Sequence, residues 1–245
     1  MPKNPLKLKI GYLYPDFLQS FCDDANVEIF AKRAKWRDID VQIQTINAND
    51  KISASRFDFY YIGGNRADAL DLALPYIRQN KDELKIASMS SIPMLAVNMG
   101  YLVFGNFFQF HNCPQREGLG ILDVDTITSK KLLRGNIIGT CAFLGNKTVM
   151  GFENHTTATY LREDALPFIT IQKGFGNNDK DKEEGARSYN TIGTYLSGPI
   201  LAQNPHFCDF LIAAALRIKY KCKIPITRLK DDIEWYSHNY ILDLK

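Results

Sequence analysis

The chain has 245 residues, of which 45% are hydrophobic and 23% are charged, as in an ordinary folded globular protein. Its net charge is +3 and its lysines and arginines are interspersed with acids, so nucleic-acid binding is not suggested. There is no run of eighteen apolar residues and no start resembling a signal peptide, so we expect a cytoplasmic protein without a membrane span. The five cysteines lack the spacing of disulfide frameworks or zinc ribbons, so we expect reduced thiols at Cys22, Cys113, Cys141, Cys208 and Cys222.

The first half of the chain alternates strand patterns with helix patterns. Strands are predicted at Leu8–Tyr14, in DVQIQTI (40–46), in RFDFYYI (56–62) and at Met94–Val97. Helices are predicted at Ala25–Lys35, Ala67–Asn80 and Lys81–Ser88, and from Met99 onward. Strands that alternate with helices form parallel sheets covered on both faces. We therefore predict an α/β fold with a doubly wound, mostly parallel sheet in a single domain, 1–245.

In the second half of the chain, the alternation of strand and helix patterns gives way to short β-like runs. Three short β-like runs, GILDVDTIT, GNIIGTCAF and VMGFENHTT, are separated by glycines and predict antiparallel strands or hairpins. The polar segment GFGNNDKDKEEGARSYN (174–190) predicts a surface loop. A last strand, TIGTYL, precedes a helix at Pro205–Tyr220, and the tail Asp231–Leu244 predicts a terminal helix or a docking strand.

Two glycine-containing motifs fall short of nucleotide-binding patterns. GGNRAD at Gly63 lacks the third spaced glycine and the ribose-binding acid of a dinucleotide turn. GTCAFLGNKT departs from a phosphate-binding loop because Asn146 intrudes between Gly145 and Lys147, and both flanks resemble strands. We therefore expect no bound cofactor.

The metal-binding patterns are equally incomplete. Asp179, Asp181 and Glu183 alternate like calcium ligands, but Glu184 stands where the sharp turn needs glycine, so a solvated charged loop is favoured. His111 and Cys113 have the chemistry of a zinc site or of a thiol with its base, but nothing nearby completes the set. We expect no metal site.

Glu153 and His155 in GFENH are candidates for an acid–base pair. As near neighbours on a strand, they are expected to point to opposite faces and not to cooperate. A structural or interfacial role is therefore predicted for both.

The order of the motifs resembles a known family. The stretches that carry the likeness extend from about Leu8 to Ile224 and include YYIGG, PMLAVNMGYLVFG, GFENH, GFGNNDKDKEEG and GTYLSGPILAQNPHF. Together they resemble the glutaminase subunit of lipid II isoglutaminyl synthase, a class I glutamine amidotransferase related to the amidotransferase domain of cobyric acid synthase. The likeness implies a flavodoxin-like α/β layering and a cysteine, at a strand-to-helix elbow, that attacks the glutamine amide. It also implies a heterodimer with an ATP-dependent Mur-ligase-like subunit, which receives the ammonia and amidates the peptidoglycan stem peptide.

The likeness breaks down at the catalytic positions. In the family pattern P-x-L-x-I-C-G-G-Y-Q, the cysteine aligns with Asn98 and the following glycine with Met99; in GTYLHGP, the histidine aligns with Ser197. A carboxamide has no accessible anion near neutral pH and is not a strong nucleophile. We therefore expect no glutaminase activity by the usual route, and glutamine binding is doubtful. The expected vestigial pocket consists of Gly63, Gly64, Asn65, Asn98, Met99 and Ser197.

Two roles are considered for Asn98. The favoured one is a helix cap, in which the side chain accepts a hydrogen bond from an early helical N–H. The other is hydrogen bonding, together with Ser197, to an amide or amino-acid ligand. For the whole chain, the favoured hypothesis is a degenerate amidotransferase that docks onto or regulates its partner. An active amidotransferase with a relocated thiol such as Cys22 or Cys141, and a small-molecule sensor, remain alternatives.

Overall fold

The computed structural model describes residues 5–18 and 24–243. Their strands are β1 (Leu6–Leu13), β2 (Ile39–Ile46), β3 (Phe59–Ile62), β4 (Met94–Val97), β5 (Phe107–Phe108), β6 (Arg116–Glu117), β7 (Val124–Cys141), β8 (Lys147–Leu161), β9 (Ile169–Lys173), β10 (Glu183–Glu184), β11 (Ala186–Ser188) and β12 (Thr191–Thr194). Their α-helices are α1 (Pro15–Leu18), α2 (Asp24–Lys35), α3 (Ala67–Gln79), α4 (Lys81–Met89), α5 (Met99–Phe104), α6 (Ile200–Gln203), α7 (Pro205–Tyr220) and α8 (Asp232–Asp243).

The first sheet has six strands in the order β11-β12-β4-β3-β1-β2. All neighbouring pairs are parallel except β11 with β12. Helices α3, α4 and α5 cover one face, and α2, α6 and α7 cover the other. This arrangement confirms the predicted doubly wound α/β fold.

Alternation along the central strands explains why both faces are covered. Every residue of β3 and β4 is buried. Tyr60 and Ile62 belong to the apolar cluster that contains α3 and α5, whereas Phe59 and Tyr61 belong to the cluster that contains α2 and α7. Successive side chains of a strand point to opposite faces, so a continuous apolar run can fill two cores at once.

A second, mostly antiparallel sheet has the order β10-β9-β7-β5-β6, in which β8 also pairs with β7 and only β5 and β7 run parallel. The prediction of antiparallel strands and hairpins is confirmed, but the prediction of three short runs is wrong. They merge into one long hairpin, because β7 and β8 pair from Val124–Leu161 down to Cys141–Lys147. The register shifts between Thr128 and Leu133, as at a β-bulge.

The polar segment 174–190 is not the predicted surface loop, although its tip, 179–182, is exposed. Asn177, Asn178 and Glu184 are buried. The Asn177 side chain donates to the Gly185 carbonyl at 3.0 Å and accepts from the Gly185 amide at 2.9 Å. The segment is polar because its side chains satisfy buried backbone groups, which cannot be left unpaired away from water.

The C-terminal tail forms the helix α8, which settles the choice between a helix and a strand. Its Trp235 stacks on His206 of α7 with a centroid distance of 5.1 Å. Both ring nitrogens of His206 are shielded from solvent and have no hydrogen-bond partner. Burial lowers the pKa of His206 to about 4. No helix in the described part of the chain is long and apolar enough to cross a membrane.

We predict that His206 makes the fold acid-sensitive. Between its ordinary pKa of 6.5 and the folded value of about 4, the unfolded chain binds more protons, so stability falls as the pH decreases through this window. His206→Phe keeps the stack without a titrating group and should reduce this loss by about 1 kcal/mol or more. Urea unfolding at pH 7 and pH 4.5 measures the effect, with exposed His111→Gln as the control. Equal pH dependence in all three proteins would contradict it.

Candidate functional site

Three neighbouring parallel strands end at one edge of the first sheet and bring the predicted site residues together. β3 leads into Gly63-Gly64, β4 leads into Asn98, and Ser197 follows three residues after β12. The register pairs Ile62 with Ala96, and Thr194 with Val97, so the three ends lie side by side. Ligand sites of doubly wound sheets lie at this carboxyl edge.

Asn98 is the elbow between β4 and α5. It has φ 53° and ψ −110°, and residues other than glycine rarely adopt a positive φ. Its backbone amide donates to the Thr194 carbonyl at 2.9 Å, and its backbone carbonyl accepts from the Leu102 amide at 3.2 Å. Such a strained turn between strand and helix is the geometry that hydrolases use to present a nucleophile.

The prediction that the Asn98 side chain caps α5 is wrong. Asn98 occupies the N-cap position, but its side chain makes no capping hydrogen bond. A capping residue normally has extended backbone angles, from which its side chain reaches the N–H groups of the first turn. The positive φ of Asn98 departs from that geometry.

The backbone group that would bind an oxyanion is already engaged. At nucleophile elbows, the N–H of the residue after the nucleophile donates to the developing oxyanion. Here the Met99 amide donates to the Gly64 carbonyl at 2.9 Å. Gly64 has φ +116°, and a Cβ there would lie 3.0 Å from the Leu18 carbonyl oxygen, so the tight turn requires glycine. Asn65, which follows, is exposed.

Ser197 has a structural partner. Its hydroxyl donates to the Phe152 carbonyl at 2.7 Å, and the backbones of the two residues form an isolated antiparallel bridge. The residue therefore ties β8 to the strand end after β12. A serine hydroxyl is a much weaker base than an imidazole, so Ser197 does not replace the histidine of the family pattern as a general base.

Glu184 is a buried acid next to the elbow. The sequence pattern had predicted a solvated loop at this position. It is fully buried, and its carboxyl accepts from the Tyr195 amide at 2.7 Å and from the Thr194 hydroxyl at 2.9 Å. Burial raises its pKa to about 8, although these donors oppose the shift. It thereby holds the strand end whose carbonyl accepts from Asn98. Nothing in the local pattern marked it, because its partners lie ten and eleven residues away.

Glu153 and His155 lie on the same face of β8, so the prediction of opposite faces is wrong. They are two residues apart, and the period of a strand is two. Both are buried, with Nε2 of His155 3.8 Å from Oε2 of Glu153. The Glu153 carboxyl also accepts from the backbone amides of Phe175 and Gly176 at 2.7 and 2.8 Å.

His155 is part of a buried polar network rather than of the elbow. Its ring stacks on Tyr195 with a centroid distance of 3.7 Å, and its Nδ1 lies 3.0 Å from the Thr157 carbonyl. The Tyr195 hydroxyl in turn bonds to the hydroxyls of Thr157 and Thr159. Nε2 of His155 is buried without a hydrogen-bond partner. The pair therefore supports the packing of β8 against the strand end that carries Ser197.

No cysteine of the described ranges belongs to the elbow. Cys141 ends β7 and Cys208 lies in α7, and both are buried. Burial raises the pKa of Cys141 to about 11 and that of Cys208 well above its usual value, so both thiols are poor nucleophiles. Cys113 is half-buried and Cys222 is exposed. Cys22 lies outside the described residues.

The His111 and Cys113 pair gains no further ligand from the fold. Within residues 5–18 and 24–243, no group of three or more His, Cys, Asp or Glu side chains is arranged to hold a metal ion. Of the alternating acids, Asp179 and Asp181 lie at the exposed tip of the polar segment, where Asp179 pairs with Lys131 at 2.7 Å, whereas Glu183 begins β10.

Comparison with known proteins identifies the family of the chain. Residues 9–205 match the CobB/CobQ-like glutamine amidotransferase domain, which is more than half of the chain. The chain belongs to this family. Its relatives include the GatD subunit of lipid II isoglutaminyl synthase (glutamine-hydrolyzing) from Staphylococcus aureus (strain N315), 35% identical over 213 residues, 87% of this chain and 86% of that protein. The subunit of the same name from Streptococcus pneumoniae (strain ATCC BAA-255 / R6) is 25% identical over 229 residues, 93% of this chain and 87% of that protein.

A solved structure supports the same fold. The structure of PurLQS from Thermotoga maritima matches with a TM-score of 0.55 and covers 98% of this chain and 100% of its own chain. The sequence identity is 11%, so the likeness concerns the fold alone.

We predict that backbone strain, and not side-chain bonding, sets the stability contribution of Asn98. Asn98→Gly should leave the free energy of unfolding unchanged or increase it, because glycine adopts a positive φ without strain. Asn98→Val should lower it by about 1–3 kcal/mol, because a β-branched side chain resists this conformation. Urea unfolding measures both. A loss of more than about 1 kcal/mol in Asn98→Gly would mean that the carboxamide holds the turn.

We predict that Glu184 destabilises the fold at alkaline pH. Its pKa is 4.5 ordinarily and about 8 in the folded chain, so the folded state binds more protons in this window and loses stability as the pH rises. Glu184→Gln does not titrate, and its stability relative to the original chain should increase by at least about 1 kcal/mol between pH 5 and pH 8. Denaturant unfolding at both values tests this, with exposed Glu163→Gln as the control. A constant difference would refute the burial argument.

Proposed function

We propose that the chain is a glutamine amidotransferase-like subunit of a lipid II amidating complex that does not itself hydrolyse glutamine. In this proposal it docks onto, and stabilises or regulates, an ATP-dependent Mur-ligase-like subunit in a heterodimer. The lipid II substrate class follows from the two GatD relatives, of which the chain covers 86% and 87%. The word subunit in their names supports the existence of a partner.

One observation carries the proposal: a carboxamide, Asn98, occupies a fully formed nucleophile elbow. Its backbone retains φ 53° and ψ −110°, and so the turn that presents a side chain remains intact. The residue at this position supplies no anion at neutral pH. The absence of a nucleophile rather than the absence of a fold therefore accounts for the expected lack of activity.

The surroundings of the elbow support the same conclusion. The Met99 amide is engaged by Gly64, and the Ser197 hydroxyl is engaged by Phe152. The nucleophile and the base of a hydrolase act as a unit, so losing either removes most of the rate, and an engaged oxyanion donor lowers the rate further. We propose that Gly63, Gly64, Asn65, Asn98, Met99 and Ser197 are the remnant of the glutamine pocket.

The alternative of an active subunit with a relocated thiol draws little support from the described cysteines. Cys141 and Cys208 are buried with raised pKa values, at the end of β7 and within α7. His155 has a free Nε2, but it stacks on Tyr195 inside the protein. A working site would need a thiolate, a base and oxyanion donors around one accessible point.

We predict that the chain, alone or with its ligase-like partner, releases glutamate from glutamine no faster than heat-denatured protein. Loss of a nucleophile or its base costs up to about a million-fold in turnover. The double variant Asn98→Cys, Ser197→His should recover little, because the Met99 amide still donates to the Gly64 carbonyl. Asn65 also stands where the glycine-rich turn of the family resembled here has its third glycine. A coupled glutamate assay measures both.

The result for the original chain decides between the two hypotheses. Glutamate release well above the denatured control would refute the proposal, and so would labelling of a single cysteine by a glutamine-analogue electrophile such as diazo-oxo-norleucine. In that case the active-subunit alternative would stand, and the labelled cysteine would identify its nucleophile.

A further inference from the structure

The basic residues are not evenly spread, contrary to the sequence-based expectation. Residues 217–230, RIKYKCKIPITRLK, contain six lysines and arginines and no acid. The other 231 residues contain 24 basic and 27 acidic residues, a net charge of −3. The small overall charge therefore conceals one strongly positive segment.

Residues 221–230, called here the basic strap, form neither helix nor strand and lie between α7 and α8. Two buried arginines of the α2 region anchor the strap. Arg37 donates to the Thr227 carbonyl at 2.7 Å, and Arg33 forms an ion pair with Asp231 at 2.7 Å, just beyond the strap. Both arginines also pair with Asp209 of α7. The strap is therefore held in a fixed course over the helices.

An apolar groove of about 420 Å³ lies between the strap and α7. Phe210 and Ala213 of α7 and Ile224 and Ile226 of the strap line it, and Arg217 and Lys223 stand at its edge. Neither cation forms an ion pair within the described ranges, whereas the nearby Lys219 pairs with Asp58 at 2.8 Å. The apolar lining of the groove therefore lies beside two cations that have no ion-pair partner in the described ranges.

We propose that this groove docks an acidic, amphipathic segment of the ligase-like subunit. Apolar side chains of that segment would fill the groove, and its carboxylates would pair with Arg217 and Lys223. The inference rests on the proposed function for the existence of the partner, and charge complementarity gives the chemistry of the segment.

A protein segment fits the groove better than a bilayer does. Of the apolar side chains that line the groove, only that of Pro225 is exposed. Ala214 is buried, and the others, Phe210, Ala213, Ile224 and Ile226, are partly buried. Bilayer binding instead needs apolar side chains that project outward into the acyl region. A concave apolar surface with charges at its edge is the arrangement that receives projecting side chains of another protein.

The test measures binding of the full-length chain to the Mur-ligase-like subunit of the same organism by calorimetry. Two variants address the groove: Arg217→Glu with Lys223→Glu reverses the charges, and Ala213→Trp fills the space. The matched control, Lys180→Glu with Lys182→Glu, makes the same charge change at the exposed tip of the polar segment. Circular dichroism and urea unfolding verify the fold of each variant. We expect both groove variants to bind at least tenfold more weakly and the control to bind like the original chain.

The outcomes separate the two proposals. No binding of the original chain to the ligase-like subunit would overturn the heterodimer itself. Binding that survives both groove variants would overturn the groove and leave the heterodimer standing. Sedimentation with vesicles containing 30% phosphatidylglycerol is run in parallel. Vesicle binding that only the charge-reversed variant loses, without an effect on the ligase-like subunit, would assign the surface to a membrane and overturn the inference.

Discussion

Two consecutive backbone hydrogen bonds hold the elbow on which the site depends. Asn98 donates to Thr194 and Met99 donates to Gly64, so adjacent amides tie β4 to the ends of both neighbouring strands. Neither bond involves a side chain. The turn therefore does not depend on a side-chain hydrogen bond at position 98, and its chemistry can be lost while its shape is kept. The same bonds withhold from any ligand the amide that an oxyanion would need.

Two buried acids, Glu184 and Glu153, stabilise the backbone around this elbow. Glu184 holds the strand end at Thr194 and Tyr195, and Glu153 holds the backbone of the polar segment at Phe175 and Gly176. Each carboxyl receives backbone donors that would otherwise be unpaired away from water. Both acids lie in family-like motifs, and both have structural partners near this edge.

Much of this could be predicted from periodicity. The bounds of β4 and α7 agree with the prediction, because alternating or helical apolar patterns determine which face is buried. The family likeness, and not periodicity, grouped the residues after β3, β4 and β12 into one expected pocket. The positive φ of Asn98 and the burial of Glu184 could not be predicted, because both depend on partners distant in sequence. The two-residue spacing of Glu153 and His155 is sufficient to predict that they lie on the same face of a strand, but it does not predict that His155 stacks on Tyr195.

The region that matches the family ends at residue 205, yet the charges of α2 are neutralised beyond it. Arg33 and Arg37 rely on Asp209 and Asp231, and α7 covers one face of the sheet. An excised fragment of residues 9–205 would keep two buried guanidinium groups without a counter-charge and an uncovered apolar face. We therefore expect residues 9–205 alone to be less stable than the full chain, because the segment after them supplies both counter-charges and nearly all of α7.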